Sequence, residues 1–300
     1  INSPNSAFNE IHQVPPASVT SWSDGNTKTS RYWTPDFETK VTISYEDALE
    51  TTKELIEAAV SRRLISERPL GSFLSGGYDS TVVTAYMAKL MKEKVQTYSI
   101  GFQSAQFNEA HHAKQVANYL GTNHHEEILS PDPALIVEKI SHILDQPFAD
   151  SSIVPTYLLA KFARENLIVA LGGDGGDEVF GGYDRYIATP ILQKLNPVLG
   201  IAKFGLGLVD RKVLGKGRKI NRGSSQLIRK NSLGHRFSSI HSLAQPETLN
   251  SLLTQDFRTQ KAANRFVEGF NEGNISSTDR MFRSDLTSYL PGDLLVKADL

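Results

Sequence analysis

The 300-residue chain contains no cysteine. That absence excludes thiol nucleophiles, disulfides and cysteine-ligated zinc within this segment. No apolar run approaches the about 18 residues that a membrane-spanning helix needs, and neither a secretory nor a transit pattern opens the chain. The expectation is a soluble, cytoplasmic protein that does not engage membrane. Excess charge of either sign is also lacking, with a formal net charge of −1. There is no G-x-x-x-x-G-K-S/T segment, which disfavours a Walker-type phosphate loop. The glycine spacing after the first apolar run is not G-x-G-x-x-G, which disfavours dinucleotide binding. What is present is 39% hydrophobic residues, enough for a sizeable core.

The most informative segment is Ser75-Gly76-Gly77-Tyr78-Asp79-Ser80. It lies between an apolar run, Leu70–Leu74, and a helix-like run that begins near Thr81. A strand, a glycine-rich turn and a helix start direct several backbone N–H groups and a helix dipole at one point, where a phosphate or pyrophosphate fits. Ser75, Ser80 and Thr81 add hydroxyls. Asp79 would repel a phosphate, so a carboxylate here implies Mg²⁺ between the two.

A second loop follows the apolar run Leu167–Leu171. Residues 172–183 hold six glycines and three acids, Asp174, Asp177 and Glu178, a composition poor for a core or a solvated helix. The acid spacing does not fit an EF-hand. In open α/β sheets ligands sit at the carboxyl ends of the strands. Both loops are therefore expected to face one crevice, with Asp79 and Asp177 sharing a Mg²⁺ on a pyrophosphate.

Together these motifs resemble the synthetase domain of glutamine-hydrolysing asparagine synthetases and their amidotransferase relatives, which are ATP pyrophosphatases. The stretches Arg68–Leu74, Ser99–Phe102, Phe107–Ala110, Leu120–Glu126, Gln146–Ser152 with Pro155–Tyr157, and Tyr289–Asp299 are similar to further family segments. The resemblance implies ATP and Mg²⁺ as cofactors, aspartate as the small-molecule substrate, ammonia as the nucleophile, and an acyl-adenylate between them. It assigns the pyrophosphate to Ser75, Gly76, Gly77 and Ser80, and the Mg²⁺ to Asp79 and Asp177. Leu74, Ile100, Gly172 and Gly173 are assigned to the adenosine part. Asp174 is assigned as the carboxylate near the attacking amine, so Asp174, Asp79 and Asp177 form the catalytic set.

Two positions depart from the family pattern. Asp174 stands where many members carry Glu, and Tyr78 where Leu or Ile is usual. Other acceptors for the same adenylation chemistry (a lactam, peptide or sugar) therefore stay open, as does a nucleotide-binding module inactive in this form. The resemblance further implies a cysteine-bearing N-terminal glutaminase domain ahead of this one. Residues 1–40 are expected to be its connector, with an independent strand pair as the alternative. Residues 41–300 are expected to be the ATP pyrophosphatase domain, cut at its C-terminal end before a family lysine that stabilises the adenylate. A homodimer is among the assemblies the resemblance allows.

Alternating strand and helix patterns predict an α/β fold. Strands are expected at Leu70–Leu74, Val95–Phe102, His125–Leu129 and Leu167–Leu171. Helices are expected at Tyr45–Ser66, Asp79–Lys92, Glu109–Leu120, Pro133–Leu144 and Pro155–Glu165. The result is a Rossmann-like parallel sheet with helices on both faces, followed by a mainly helical region from about Tyr183. Ser44-Tyr45-Glu46-Asp47 reads as a capping-box-like helix start.

From Lys203 to Arg236 ten Lys/Arg stand against one acid, Asp210. That segment reads first as a solvated, glycine-interrupted loop between helices, with an anionic partner or a clamp near the phosphates as the alternative. Its few aromatics, Phe204 and the edge residue Phe237, are not interleaved for base stacking, so no nucleic-acid partner is expected. His111-His112 and His124-His125 do not have helical chelate spacing, and no metal is assigned to them.

Overall fold

The computed structural model describes residues 3–103, 109–129, 133–191, 233–234, 237–238, 251–254 and 270–299. These divide into two compact units. The first comprises residues 1–34, 40–177 and 288–300, and the second residues 35–39 and 178–287.

The first unit is built on four parallel strands in the order β5-β4-β3-β6. They are β3 (Leu70–Phe73), β4 (Gln96–Phe102), β5 (Asn123–Leu129) and β6 (Val169–Leu171). Five helices intervene or precede: α1 (Tyr45–Arg63), α2 (Tyr78–Leu90), α3 (Ala110–Leu120), α4 (Pro133–Ser141) and α5 (Ile153–Ala163). The Ser44 side chain caps α1, accepting from the Asp47 backbone N–H at 3.1 Å as the local sequence predicts. The α3 helix ends at Gly121, whose φ of 68° is the left-handed conformation of a glycine C-cap.

Apolar contacts fix the layers. Val60, Met87 and Val95 pack together with Leu70 and Leu171, tying α1 and α2 to the sheet. Leu74 packs on Ala113 and Ala117 of α3. Phe73, Tyr98, Ala163 and Leu167 form a separate cluster with α5. Successive residues of an extended chain point to opposite faces, so Phe73, the last residue of β3, and Leu74 just beyond it serve different helices. The expected α/β sheet, covered on both faces, is what forms.

Residues expected to be a connector contain a hairpin, β1 (Ser18–Ser23) and β2 (Asn26–Arg31), turning at Asp24-Gly25. This is the strand-pair alternative at the local level. Every residue of it except Ser18 is exposed, so it adds nothing to the core.

In the second unit Tyr186, Phe237, Phe270 and Met281 form an apolar cluster. Inside it the Tyr186 hydroxyl donates to Asp285, and the Arg185 guanidinium meets the same carboxylate at 2.8 Å. Burial, then the hydrogen bond to Asp285, pushes the Tyr186 hydroxyl far above its ordinary pKa. A short α6 (Gly176–Phe180) leads out of the second glycine loop. Near the C-terminus come α7 (Ser277–Ser284), a π-helix (Asp285–Leu294) and α8 (Leu295–Asp299). These agree with a helical region after Tyr183. Most of the basic segment 203–236 lies outside the described residues, as do Phe107 and Asn108. Among the described residues no helix is long and apolar enough to cross a membrane.

Candidate active site

Strand order places the site. β3 has β4 on one side and β6 on the other, so the chain reverses its direction of travel across the sheet between β3 and β6. Such a switch point opens a crevice at the carboxyl ends of the strands. The first glycine loop leaves β3 there and the second leaves β6 there.

The first loop is shaped by its own serines. Ser80 Oγ lies 3.0 Å from Ser75 Oγ and accepts from the Ser75 backbone N–H at 3.3 Å. Ser75 Oγ accepts from the Gly77 N–H at 3.2 Å. Ser80 is buried, and its hydroxyl serves the turn; Ser75 is exposed. Gly77 is the N-cap of α2 with no side-chain cap, which leaves the first-turn N–H groups of Tyr78, Asp79 and Ser80 without a capping partner. Gly76 has φ 83°, and a Cβ on it would strike the backbone at His112–Ala113, so only glycine fits.

The second loop runs directly against this helix start. A Cβ on Gly173 would fall 2.6 Å from the Ser80 backbone nitrogen and 2.9 Å from Asp79 Cβ. One on Gly176 would collide with the Asp79 carboxylate. These glycines are what let the two loops meet. Burial, and next the charge of Asp177, push the Asp79 carboxyl above its ordinary pKa. Among the described residues neither Asp79 nor Asp177 has a hydrogen bond or an ion pair to its carboxylate. Two adjoining, unpartnered carboxylates beside free N–H groups fit a hard divalent cation carried in on a polyphosphate. No cluster of three acids, histidines or cysteines stands among the described residues.

The other expected contacts divide. Ile100 is half-buried near the carboxyl end of β4, two residues beyond the Phe73–Tyr98 pair. Gly172 lies at the mouth of the second loop, its Cα hydrogens facing Asp174 Oδ2. Asp174 itself is exposed. Leu74 is 1% exposed, its side chain committed to α3. Only its backbone is left to face a ligand. Tyr78 is 92% exposed.

Sequence reasoning assigned no role to a second polar cluster of the same unit. Lys297 Nζ donates to Asp150 Oδ2 at 2.9 Å and also to Ser152 Oγ. Ser152 in turn donates to Asp150 through its hydroxyl and its backbone N–H. Burial alone would raise the Asp150 carboxyl, but the Ser152 and Lys297 hydrogen bonds together hold it below its ordinary pKa. Asp293 is pushed the other way by burial and by the charge of Asp150. Both segments belong to family-like stretches, and that was the only signal in the sequence.

His124 sits between Thr97 Oγ1 at 3.0 Å and Ser99 Oγ at 3.3 Å, and burial lowers its pKa. His125 stacks on Tyr98 with ring centroids 4.7 Å apart.

The fold and site thus define an α/β protein with two glycine loops and paired acids at one switch point. Comparison with known proteins gives the class a family. The asparagine synthase family profile matches residues 51–300, and the chain belongs to that family. It is 41% identical over 159 residues to a "Putative asparagine synthetase (glutamine-hydrolyzing) 2" of Methanocaldococcus jannaschii, covering 52% of this chain and 30% of the relative. It is 29% identical over 282 residues to "Asparagine synthetase (glutamine-hydrolyzing) 1" of Bacillus subtilis, covering 92% of this chain and 43% of the relative. The chain therefore spans less than half the length of these curated relatives. Among solved structures, an NH3-dependent NAD synthetase from Campylobacter jejuni aligns with a TM-score of 0.30 and 17% identity, over 47% of this chain and 61% of that one. At that level the likeness carries no argument.

Proposed function

We propose that this chain is the synthetase part of an asparagine-forming enzyme that adenylates aspartate. A carboxylate does not exchange its oxygen for ammonia unaided, because the centre is electron-rich and the leaving group poor. In the proposed reaction the acceptor carboxylate oxygen attacks the α-phosphorus of ATP. The bond to the bridging oxygen breaks, and pyrophosphate leaves. Ammonia then attacks the acyl carbon, AMP departs, and the amide nitrogen gives up a proton.

Each group has a task in this scheme. The N–H groups at the start of α2, with Gly76, Gly77 and Ser75, hold the pyrophosphate, while Ser80 keeps the turn in shape. Asp79 and Asp177 would hold Mg²⁺, which when bound neutralises charge on the departing pyrophosphate. The adenosine lies along the Leu74 backbone, Ile100, Gly172 and Gly173. Asp174 stands on the acceptor side, where a carboxylate stabilises or accepts the proton of the attacking amine. Ammonia would come from glutamine through a glutaminase domain elsewhere in the parent protein, and the reaction would take place in the cytoplasm.

The observation that carries this reading is the meeting of Gly173 and Gly176 with Asp79–Ser80 at the switch point. A second reading keeps the adenylation and changes the acceptor; Asp174, one methylene shorter than the usual Glu, favours it. ATP–pyrophosphate exchange in the complete protein, with Mg²⁺ and with or without aspartate, separates the two. Aspartate-dependent exchange supports the first. Tight Mg-ATP binding without such exchange sends the search to other carboxylic acids. Failure to bind Mg-ATP would sink both.

A further inference from the structure

The segment 288–299 has little apolar anchorage. Its first part continues the π-helix, a rare arrangement, and contains Pro291, which has no N–H to donate. Leu294 is the only buried apolar residue among positions 288–299. Yet this segment reaches two parts of the crevice. The Leu290 side chain lies over Gly175, close enough that a Cβ there would be 3.7 Å from its methyl carbons. Seven residues on, Lys297 is buried to 10% exposure against Asp150, itself 21% exposed, and Ser152.

Asp150 and Ser152 immediately precede α5, which runs back to β6. The start of α5 therefore lies at the carboxyl end of the sheet, the same end as both glycine loops. A lysine whose side chain is largely shielded, paired to one carboxylate with a second, Asp293, beside it, does more than packing requires.

We propose that Lys297 is a positioning residue: by pairing with Asp150 and Ser152 it pins segment 288–299 so that Leu290 covers Gly175 and fixes the acceptor-side loop carrying Asp174. The pin acts on the second glycine loop and leaves the phosphate-binding turn at residues 75–80 untouched. Its effect on catalysis rests on the adenylation reading; its effect on the loop does not.

The test compares wild type, Lys297→Met, Lys297→Arg and Asp150→Asn in the complete protein. Amide hydrogen exchange is followed at residues 172–177 and 288–299, with residues 75–80 and β4 as internal references. Lys297→Met is expected to speed exchange in the first two segments well beyond any shift in the references, which follow only the change in global stability. Lys297→Arg should restore most of the protection, and Asp150→Asn, which keeps the shape of the site, should fall between. Equal acceleration everywhere, or none at 172–177, would overturn the proposal. In pyrophosphate exchange, Lys297→Met should raise the acceptor KM about 10- to 100-fold, the scale of a displaced positioning group, with Mg-ATP affinity unchanged. Unchanged acceptor KM in an enzyme active with aspartate would also overturn it. If wild type shows no aspartate-dependent exchange, the functional reading fails and the hydrogen-exchange result still decides the pin.

Discussion

A carboxylate pair and a carboxylate–lysine pair of the sheet unit stand in opposite electrostatic conditions. Asp79 and Asp177 adjoin without a cation from the described residues, and Asp79 is pushed toward its neutral form. Asp150 has its own lysine and two serine hydrogen bonds, and is pushed toward its charged form. Burial and the neighbouring Asp177 charge both disfavour the Asp79 carboxylate, which is the condition an outside cation would relieve under the proposed function. The second pair is complete, so its value lies in what it holds together. The same residue type is thus proposed to bind a ligand in one place and to fasten a segment in the other.

The sharpest way to break this comparison is Asp79→Asn. Loss of a charge-stabilising group at the reacting phosphates should lower Mg-dependent exchange about 10²- to 10³-fold. Folding stability should hold or rise, because a repulsion is relieved. Full activity in that variant, measured at saturating Mg-ATP, would remove the assignment of the first pair.

Lys297→Met should do the reverse to stability. Leaving the part-buried Asp150 with only its Ser152 hydrogen bonds costs about 1–2 kcal/mol, read as a lower urea midpoint at unchanged slope. A loss below a few tenths would mean that the fastener carries no load.

A smaller effect follows from ligand linkage. Mg-ATP at about ten times its dissociation constant should stabilise the wild type by about 1.4 kcal/mol. Thermal scans should show that shift in Lys297→Met and lose most of it in Asp79→Asn. Equal shifts in all three would erase the distinction between the pairs.

The smallest effect is the pH dependence. Asp150 lies below its ordinary value of 3.8, so its contribution is present above that pH and is lost as pH falls through its folded value. Asp293 lies above 3.8, so its contribution is present below that pH and is lost as pH rises through its raised value. Asp293→Asn should therefore stabilise the protein near neutrality and lose that advantage in acid. Urea midpoints from about pH 3 to 7 would show the crossing; a constant difference between variant and wild type would refute it.

Much of this architecture was legible in local pattern. The apolar run Leu70–Leu74 with two glycines after it can hardly be anything but a strand and turn, and Leu167–Leu171 repeats the form. Ser44 and Gly121 mark helix ends through side-chain and backbone chemistry that acts within four residues. The strand pair at residues 18–31 was harder to see, because its exposed, alternating polar residues look like linker composition. The fate of Leu74 was hidden as well: a residue at a strand end faces either ligand or core, and Ala113 and Ala117 decided for core.

By itself the sequence determined the alternation of strands and helices, the glycine turns, and the acids within them, because periodicity and turn chemistry are local. Only the tertiary structure decided that β6 lies beside β3, bringing Gly173 and Gly176 onto Asp79. It alone joined Lys297 to Asp150, 147 residues away. Such pairings depend on which sheet edge a crossover returns to and on which buried charge finds a partner, and neither is written in any short window of the chain.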